Sequence, residues 1–385
     1  MINNFIYRNP TKILFGKGQI KHLSKEISTY GKKILLLYGG GSIKKNGLYD
    51  EIYSQLKDFE IFELGGVEPN PRVSTARKAI EIIRKNNIDF LLAAGGGSTV
   101  DCAKLISVGT YYDGDPWDIV KKKYFPEKAL PFGDILTLAA TGSEMNPGSV
   151  ITNIETEEKI GWSSPLAYPK FSILDPVYTF TVPLSQTVNG IVDTMSHMIE
   201  QYFNAEHNPV MDGLIESSLK TVMKYAPLVL ESPHNYDIRA VLMMSATIGL
   251  NYSLSWGTMG DWATHGIEHA VSAVYDIAHA EGLSIIMPNW LLYILPKDIL
   301  RVKQFAINVM DVNPEEKSDE EIGKEGILKL QSYWKSLGAP THLSEVGIDS
   351  TNIKKMAEIA TDRPVLGSVY NLTKNDVINI LKSSL

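Results

Sequence analysis

The chain has 385 residues, 44% of them hydrophobic and 21% charged, with a formal net charge of −7. That length accommodates two domains with separate cores, and the acidic balance gives no reason to expect nucleic acid or an anionic membrane as partner. A single cysteine, Cys102, excludes an intramolecular disulfide and any zinc site built from two thiolates of one chain, so a bound metal must be held by nitrogen and oxygen.

The N-terminus lacks the basic and apolar regions of a signal peptide, and no apolar run approaches the ~20 residues that span a bilayer, so a cytoplasmic protein is expected. Lys33-Ile-Leu-Leu-Leu-Tyr38 is a short apolar run ending in Gly39-Gly40-Gly41-Ser42, the pattern of a buried parallel strand and its turn. A helical pattern over 48–57 and a strand at Glu60–Leu64 follow. Pro69 and Pro71 make 67–71 a loop, and Ser74 caps a helix over 75–86. Asp89-Phe-Leu-Leu-Ala-Ala94 leads into Gly95-Gly96-Gly97-Ser98, and Ile135-Leu-Thr-Leu-Ala139 leads to Thr141-Gly142-Ser143-Glu144. Strand–helix alternation of this kind predicts a parallel sheet with right-handed crossovers, an α/β domain over residues 1–184. Beyond Ser185 strand signals vanish, and helical patterns recur at roughly 187–203, 210–230, 237–252, 260–274, 280–295, 297–310, 319–337 and 350–361. Residues 185–385 are therefore expected to form an all-α domain.

Gly95-Gly96-Gly97-Ser98 lies between a buried strand and a helix. Glycines let backbone N–H groups approach a phosphate, and the helix N-terminus adds a favourable dipole. The loop matches neither GxGxxG nor the Walker pattern, and a strand-to-helix turn also takes glycine for steric reasons alone. Thr137, Thr141 and Ser143 follow another strand, and strand ends converging on one edge favour a Rossmann-like nucleotide site. The first loop, Tyr38 to Lys45, has no acid, one hydroxyl in Ser42, and two lysines, Lys44 and Lys45. A strand-end carboxylate usually holds the adenosine ribose of NAD, so its absence would admit the 2′-phosphate of NADP. A solvated turn with surface lysines is the plainer reading.

Three of the eight histidines, His265, His269 and His279, fall within fifteen positions. Asp193 and His197, four residues apart, share one helical face. Clustered histidine and aspartate are usual ligands for a divalent metal, and three nitrogens with one oxygen leave a position open for substrate. His269 shares a face with His265 and is the ambiguous member. Histidines 22, 207, 234 and 342 are scattered and read as structural or surface residues.

These segments together resemble the iron-containing (group III) alcohol dehydrogenases, within them the NADPH-dependent butanol dehydrogenase and aldehyde reductase branch. The matching stretches are Tyr38–Gly47, Gly66–Pro71, Gly95–Asp101, Ala140–Met145, Tyr168–Pro176, Asp193–His197 and Gly260–His279. The resemblance implies an N-terminal dinucleotide-binding domain and a C-terminal domain whose Asp193, His197, His265 and His279 hold one metal, Fe2+ first and Zn2+ second. It makes His269 a non-ligand beside nicotinamide and substrate, a donor or relay for the proton that a developing alkoxide needs. It places Gly96, Gly97 and Ser98 at the pyrophosphate with Asp101 beside them, and Thr137, Thr141, Ser143 and Lys159 along the cofactor cleft. Among Gly39, Gly40, Gly41 and Ser42, Gly40 stands where NAD-preferring relatives carry aspartate. Leu138 departs from a threonine pair that many relatives have.

The implied activity is hydride transfer between NADP(H) and a small aldehyde or primary alcohol such as butanal and butanol, in a homodimer. Trp262 is expected to wall the substrate pocket. A lyase of the dehydroquinate synthase type is the competing reading, disfavoured because the neighbourhood of Trp262 and Tyr275 lacks a cluster of lysines and arginines for a phosphorylated substrate.

Overall fold

The computed structural model describes residues 2–385. Eight strands occur among them: β1 (Lys12–Phe15), β2 (Lys33–Tyr38), β3 (Glu60–Leu64), β4 (Phe90–Gly95), β5 (Phe132–Leu136), β6 (Gly148–Asn153), β7 (Glu158–Ser163) and β8 (Phe171–Leu174). Six form one parallel sheet in the order β1-β8-β5-β4-β2-β3, while β6 and β7 form an antiparallel hairpin.

The alternation of side chains along a strand explains why the central strands read as unbroken apolar runs. In β2, Leu35 and Leu37 point into one core with Leu91 and Ala93 of β4. Ile34 and Leu36 point into the other with Phe90 and Leu92. The first core is closed by Ala76, Ala79, Ile80 and Ile83 of helix Val73–Asn86 and by Val100 and Ala103 of helix Gly97–Gly109. The second is closed by Leu23, Ile27, Leu48 and Ile52. Both faces are covered, so neither tolerates a polar alternation.

Contacts divide the chain into two units. One comprises Arg8–Pro183 and Ser232–Asn251; the other comprises the N-terminal stretch ending at Tyr7, Leu184–Glu231 and Tyr252–Leu385. A single break at 184 leaves out both the N-terminal stretch and the return of the chain over 232–251. Helix Tyr236–Gly249 joins the sheet unit, because Met243 packs with Leu136 and Leu174 and Thr247 donates to the Glu144 carboxylate.

In the helical unit the long segments are Leu184–Tyr202, Pro209–Glu231, Ala263–Tyr275, His279–Ile294, Ile299–Asn308 and Asp319–Ser336, followed by Ile353–Ala360 and Lys374–Ser383. Helix Ala263–Tyr275 begins later than its pattern suggests. Gly260 and Trp262 both take positive φ (72° and 65°), which no helix continues through. No helix among the described residues is long and apolar enough to cross a membrane.

Candidate functional site

Within the helical unit, three helices bring the proposed ligands together: Leu184–Tyr202 carries Asp193 and His197, Ala263–Tyr275 carries His265 and His269, and His279 opens the third. His197 Nε2 lies 3.7 Å and His279 Nε2 3.8 Å from the same atom, Asp193 Oδ1. The His265 ring centroid is 4.8 Å from that of His197 and 5.2 Å from that of His279. Donors about 2.1 Å from a tetrahedral ion stand about 3.4 Å apart, so this spacing is close to that of a divalent site.

Polar satisfaction gives a second, independent test of fit. Asp193 Oδ1 and His265 Nε2 are buried without a hydrogen-bond partner. Orphaned buried acceptors cost on the order of 1–3 kcal/mol each. They are tolerated where an ion takes the missing partner's place.

Two carboxylates escape a reading of the sequence. The Glu200 carboxylate faces His265 Nδ1, and the Glu268 carboxylate faces His279 Nδ1. Both are fully buried. A carboxylate on Nδ1 holds the proton there and leaves Nε2 as the donor toward a metal. The only signal available in the sequence is spacing: Glu200 follows His197 by three positions and Glu268 follows His265 by three, so each adjoins a ligand on its own helix. Neither, however, serves that neighbour.

The electrostatics differ between the two imidazoles. Burial pushes the His197 imidazole down to about 4, so it is neutral near pH 7. Burial acts in the same direction on His265, but the Glu200 carboxylate together with Asp193 and Glu268 more than offsets it, and the net shift is upward. Glu200 moves the other way: burial alone would raise it, and His265 with the Thr264 donors brings it below the usual range.

His269 is half-buried, with its ring centroid 5.5 Å from that of His279 and 6.3 Å from that of His265. Glu268, His269 and His279 form a second group of adjacent donor atoms. The first group comprises Asp193, His197 and His265; His279 adjoins it through Nε2, 3.8 Å from Asp193 Oδ1, while the Glu268 carboxylate is already engaged by His279 Nδ1 and Ser272 Oγ. Trp262 sits 5.4 Å from the His265 ring and 6.3 Å from that of His197, held by Nε1 donating to Met259 O. Its left-handed backbone is an uncommon conformation for a bulky residue, and it lies where the site is assembled.

In the sheet unit, the register pairs Tyr38 with Ala94, Ala94 with Ile135 and Gly95 with Leu136. The loops after β2, β4 and β5 therefore leave the same carboxyl edge side by side. The 13-residue helix Gly97–Gly109 starts there with no side-chain cap, which suits an anion. Gly97 has a packing role as well: a Cβ there would overlap Thr141. Gly96 backs onto Leu138, 3.2 Å from where its Cβ would be. Gly40 and Gly41 face open space, and Ser42 is exposed. Ser98 Oγ donates to Pro69 O, and Thr137 N donates to Gly95 O.

Asp101 and Ser143 are tied into the protein. Ser143 Oγ donates to Asp101 Oδ1, whose other oxygen accepts from Val150 N. Buried Lys104 donates to Ser143 Oγ, Asn146 Oδ1 and Gly148 O. Nothing in the sequence singles out Lys104; it shapes the turn after Thr141. Lys159 is buried on β7 opposite Thr152 of the β6–β7 hairpin.

With a histidine–aspartate cluster in one unit and a glycine-rich sheet edge in the other, comparison with known proteins is decisive. Residues 10–176 match the family model "Iron-containing alcohol dehydrogenase", and residues 187–385 match "Fe-containing alcohol dehydrogenase family, C-terminal". The chain belongs to the iron-containing alcohol dehydrogenase family. It is similar to the probable NADH-dependent butanol dehydrogenase 1 of Bacillus subtilis, at 54% identity over 100% of both chains. It is 40% identical to the NADPH-dependent aldehyde reductase YqhD of Escherichia coli over 97% of each. Its fold matches the crystal structure of NADH-dependent butanol dehydrogenase A from Thermotoga maritima with a TM-score of 0.96, at 42% identity, covering 100% of this chain and 99% of that one.

Membership makes this iron-containing-type dehydrogenase an oxidoreductase of alcohols or aldehydes, with a divalent metal and a nicotinamide nucleotide implied. The lyase reading is not favoured, since both halves match alcohol dehydrogenase models.

Proposed function

We propose that Asp193, His197, His265 and His279 hold one divalent cation, iron before zinc, and that the enzyme interconverts small aldehydes such as butanal with their primary alcohols. The observation that carries this reading is the convergence of the two imidazole Nε2 atoms on Asp193 Oδ1, with Asp193 Oδ1 and His265 Nε2 both buried and orphaned. Iron precedence rests on the family's description. Such a cation supplies electrophilic stabilisation to the reacting oxygen, and the nicotinamide supplies or accepts the hydride. The protein's own groups orient and exclude water: Trp262 shields the His197 and His265 rings, and buried helices enclose Asp193. His269 serves as the proton donor to the developing alkoxide, an imidazole being suited to that task near neutral pH.

For the nucleotide, Gly96, Gly97 and Ser98 take the pyrophosphate at the helix start, with Asp101, Thr137, Thr141, Ser143 and Lys159 around or behind it. NADPH is the preferred form on this reading. The support is that the loop from Gly39 to Ser42 carries no carboxylate, Gly40 opens onto space, and Lys45 is exposed nearby. The relatives' names divide, NADH-dependent for the butanol dehydrogenases and NADPH-dependent for YqhD.

The test is to express the protein in defined medium, measure its metal content, and follow NADPH absorbance with butanal before and after chelation and reconstitution. Turnover that is indifferent to stripping and reloading the metal would overturn the ligand assignment.

A further inference from the structure

We infer that Glu200 and Glu268 are positioning residues for the cation site, and that the Glu268–His279 arm is the one through which the ion is released. This rests on the ligand set proposed above. The wiring runs from helix to helix. The helix that carries Asp193 and His197 also carries Glu200, which orients His265 on the second of the three helices. That helix carries Glu268, which orients His279 on the third. Each carboxylate uses its second oxygen on a hydroxyl, Glu200 accepting from Thr264 Oγ1 and Glu268 from Ser272 Oγ. The carboxylates are therefore held from two sides, and each His ring is presented with Nε2 inward.

The two arms differ in enclosure. Glu200 also accepts from the backbone N–H of Thr264, and the His265 side chain is 9% exposed. The His279 side chain is 26% exposed, the most open of the four, and it stands at the first position of its helix directly after a segment with Asp276 at φ 52°. His197 Nδ1 has no hydrogen-bond partner, so no carboxylate orients its ring from behind. An ion leaving this site loses the His279 donor first, because that ring has the most room to turn.

The test uses the full-length apo-protein and Zn2+ alone. Kd is measured by competition with a chromogenic chelator, release is followed by mixing with excess chelator, and Tm is recorded with and without Zn2+. Glu200→Gln and Glu268→Gln each weaken Zn2+ binding about 10–100-fold, the range for loss of a metal ligand's own hydrogen-bond partner. Release is faster in Glu268→Gln than in Glu200→Gln. Both variants narrow the gap between holo and apo Tm, whereas a purely structural role would lower both temperatures together and leave Kd alone. Should either Gln variant not fold, Thr264→Val and Ser272→Ala keep both carboxylates and loosen them, with weaker effects in the same order. Kd values within twofold of wild type in all variants overturn the inference while tight wild-type binding leaves the ligand set standing. Equal release rates for the two arms overturn the exit route. A wild type that binds no Zn2+ overturns both.

Discussion

Substituting Gly40 by aspartate puts the cofactor reading to its sharpest test. The backbone at Gly40 is not in the left-handed region, and a Cβ there meets nothing within 4 Å, so the new side chain carries no steric cost and Tm should not change. What it adds is one negative charge on an exposed loop. Two unit charges about 4 Å apart interact by about 1 kcal/mol in water, and a phosphate monoester carries nearly two charges near pH 7. The penalty against NADPH is therefore about 2 kcal/mol, or about 30-fold in kcat/KM. A hydrogen bond from the 2′-hydroxyl of NADH to the same carboxylate contributes about 1 kcal/mol, roughly fivefold. Preference thus moves by about two orders of magnitude toward NADH. The assay is kcat/KM for both nucleotides with butanal, on wild type and Gly40→Asp, at low and high salt. At about 1 M salt the Debye length falls to about 3 Å, so the NADPH penalty should shrink while the NADH gain persists. A wild type that prefers NADH refutes the reasoning about this loop, whatever the variant does.

His265→Ala and His279→Ala should each lose stoichiometric metal and aldehyde reduction while retaining nucleotide binding, measured by metal analysis and NADPH fluorescence titration; full metal in either variant removes that residue from the ligand set. His269→Ala should keep its metal and lose about 10²–10⁴ in turnover, the range for a general acid, and loss of metal there would make it a ligand. Asp261 accepts from the N–H groups of Ala263, Ser368 and Val369, yet burial pushes its carboxyl up to about 7. Its unfolded counterpart titrates near 4, about three units lower, so stability present below about pH 4 is lost as pH rises through 7 and is level beyond. Asp261→Asn should flatten that fall in urea unfolding measured at pH 5, 6, 7 and 8. An unchanged slope would show that Asp261 is ionised throughout.

The central strands are legible because burial on both faces demands a continuous apolar run, as in β2 and β4, where Ile34 through Leu37 and Phe90 through Ala94 are fully enclosed. The strand after the second glycine loop begins three residues before its apolar pattern does. Phe132-Gly133-Asp134 carries a glycine and an acidic residue, and only the neighbouring β8 explains them: Phe171 fills the space above Gly133, and Ser172 donates to Asp134. Strands β1 and β8 have only four residues each, and in the β6–β7 hairpin Ile151, Ile160 and Trp162 are interrupted by glycine and polar residues, so none of them shows a clear period. The C-terminal helix Lys374–Ser383 is likewise outside the predicted set, although Thr373 caps it.

The same division runs through the site. Asp193 with His197, and His265 with His269, are spaced by one helical turn, and the chain alone places each pair on one face. Residue type alone also excludes a metal site built from two thiolates of this chain. What the chain alone does not contain is distance across helices. That His279 meets Asp193 at 3.8 Å, that Glu200 serves His265 and Glu268 serves His279, and that Lys104 gathers Ser143 and Asn146 are consequences of packing. A covalent neighbour is set by sequence, but the partner of a buried charge is set by whichever helix the core brings within hydrogen-bond reach, because a carboxylate removed from water must find its donors in the tertiary fold.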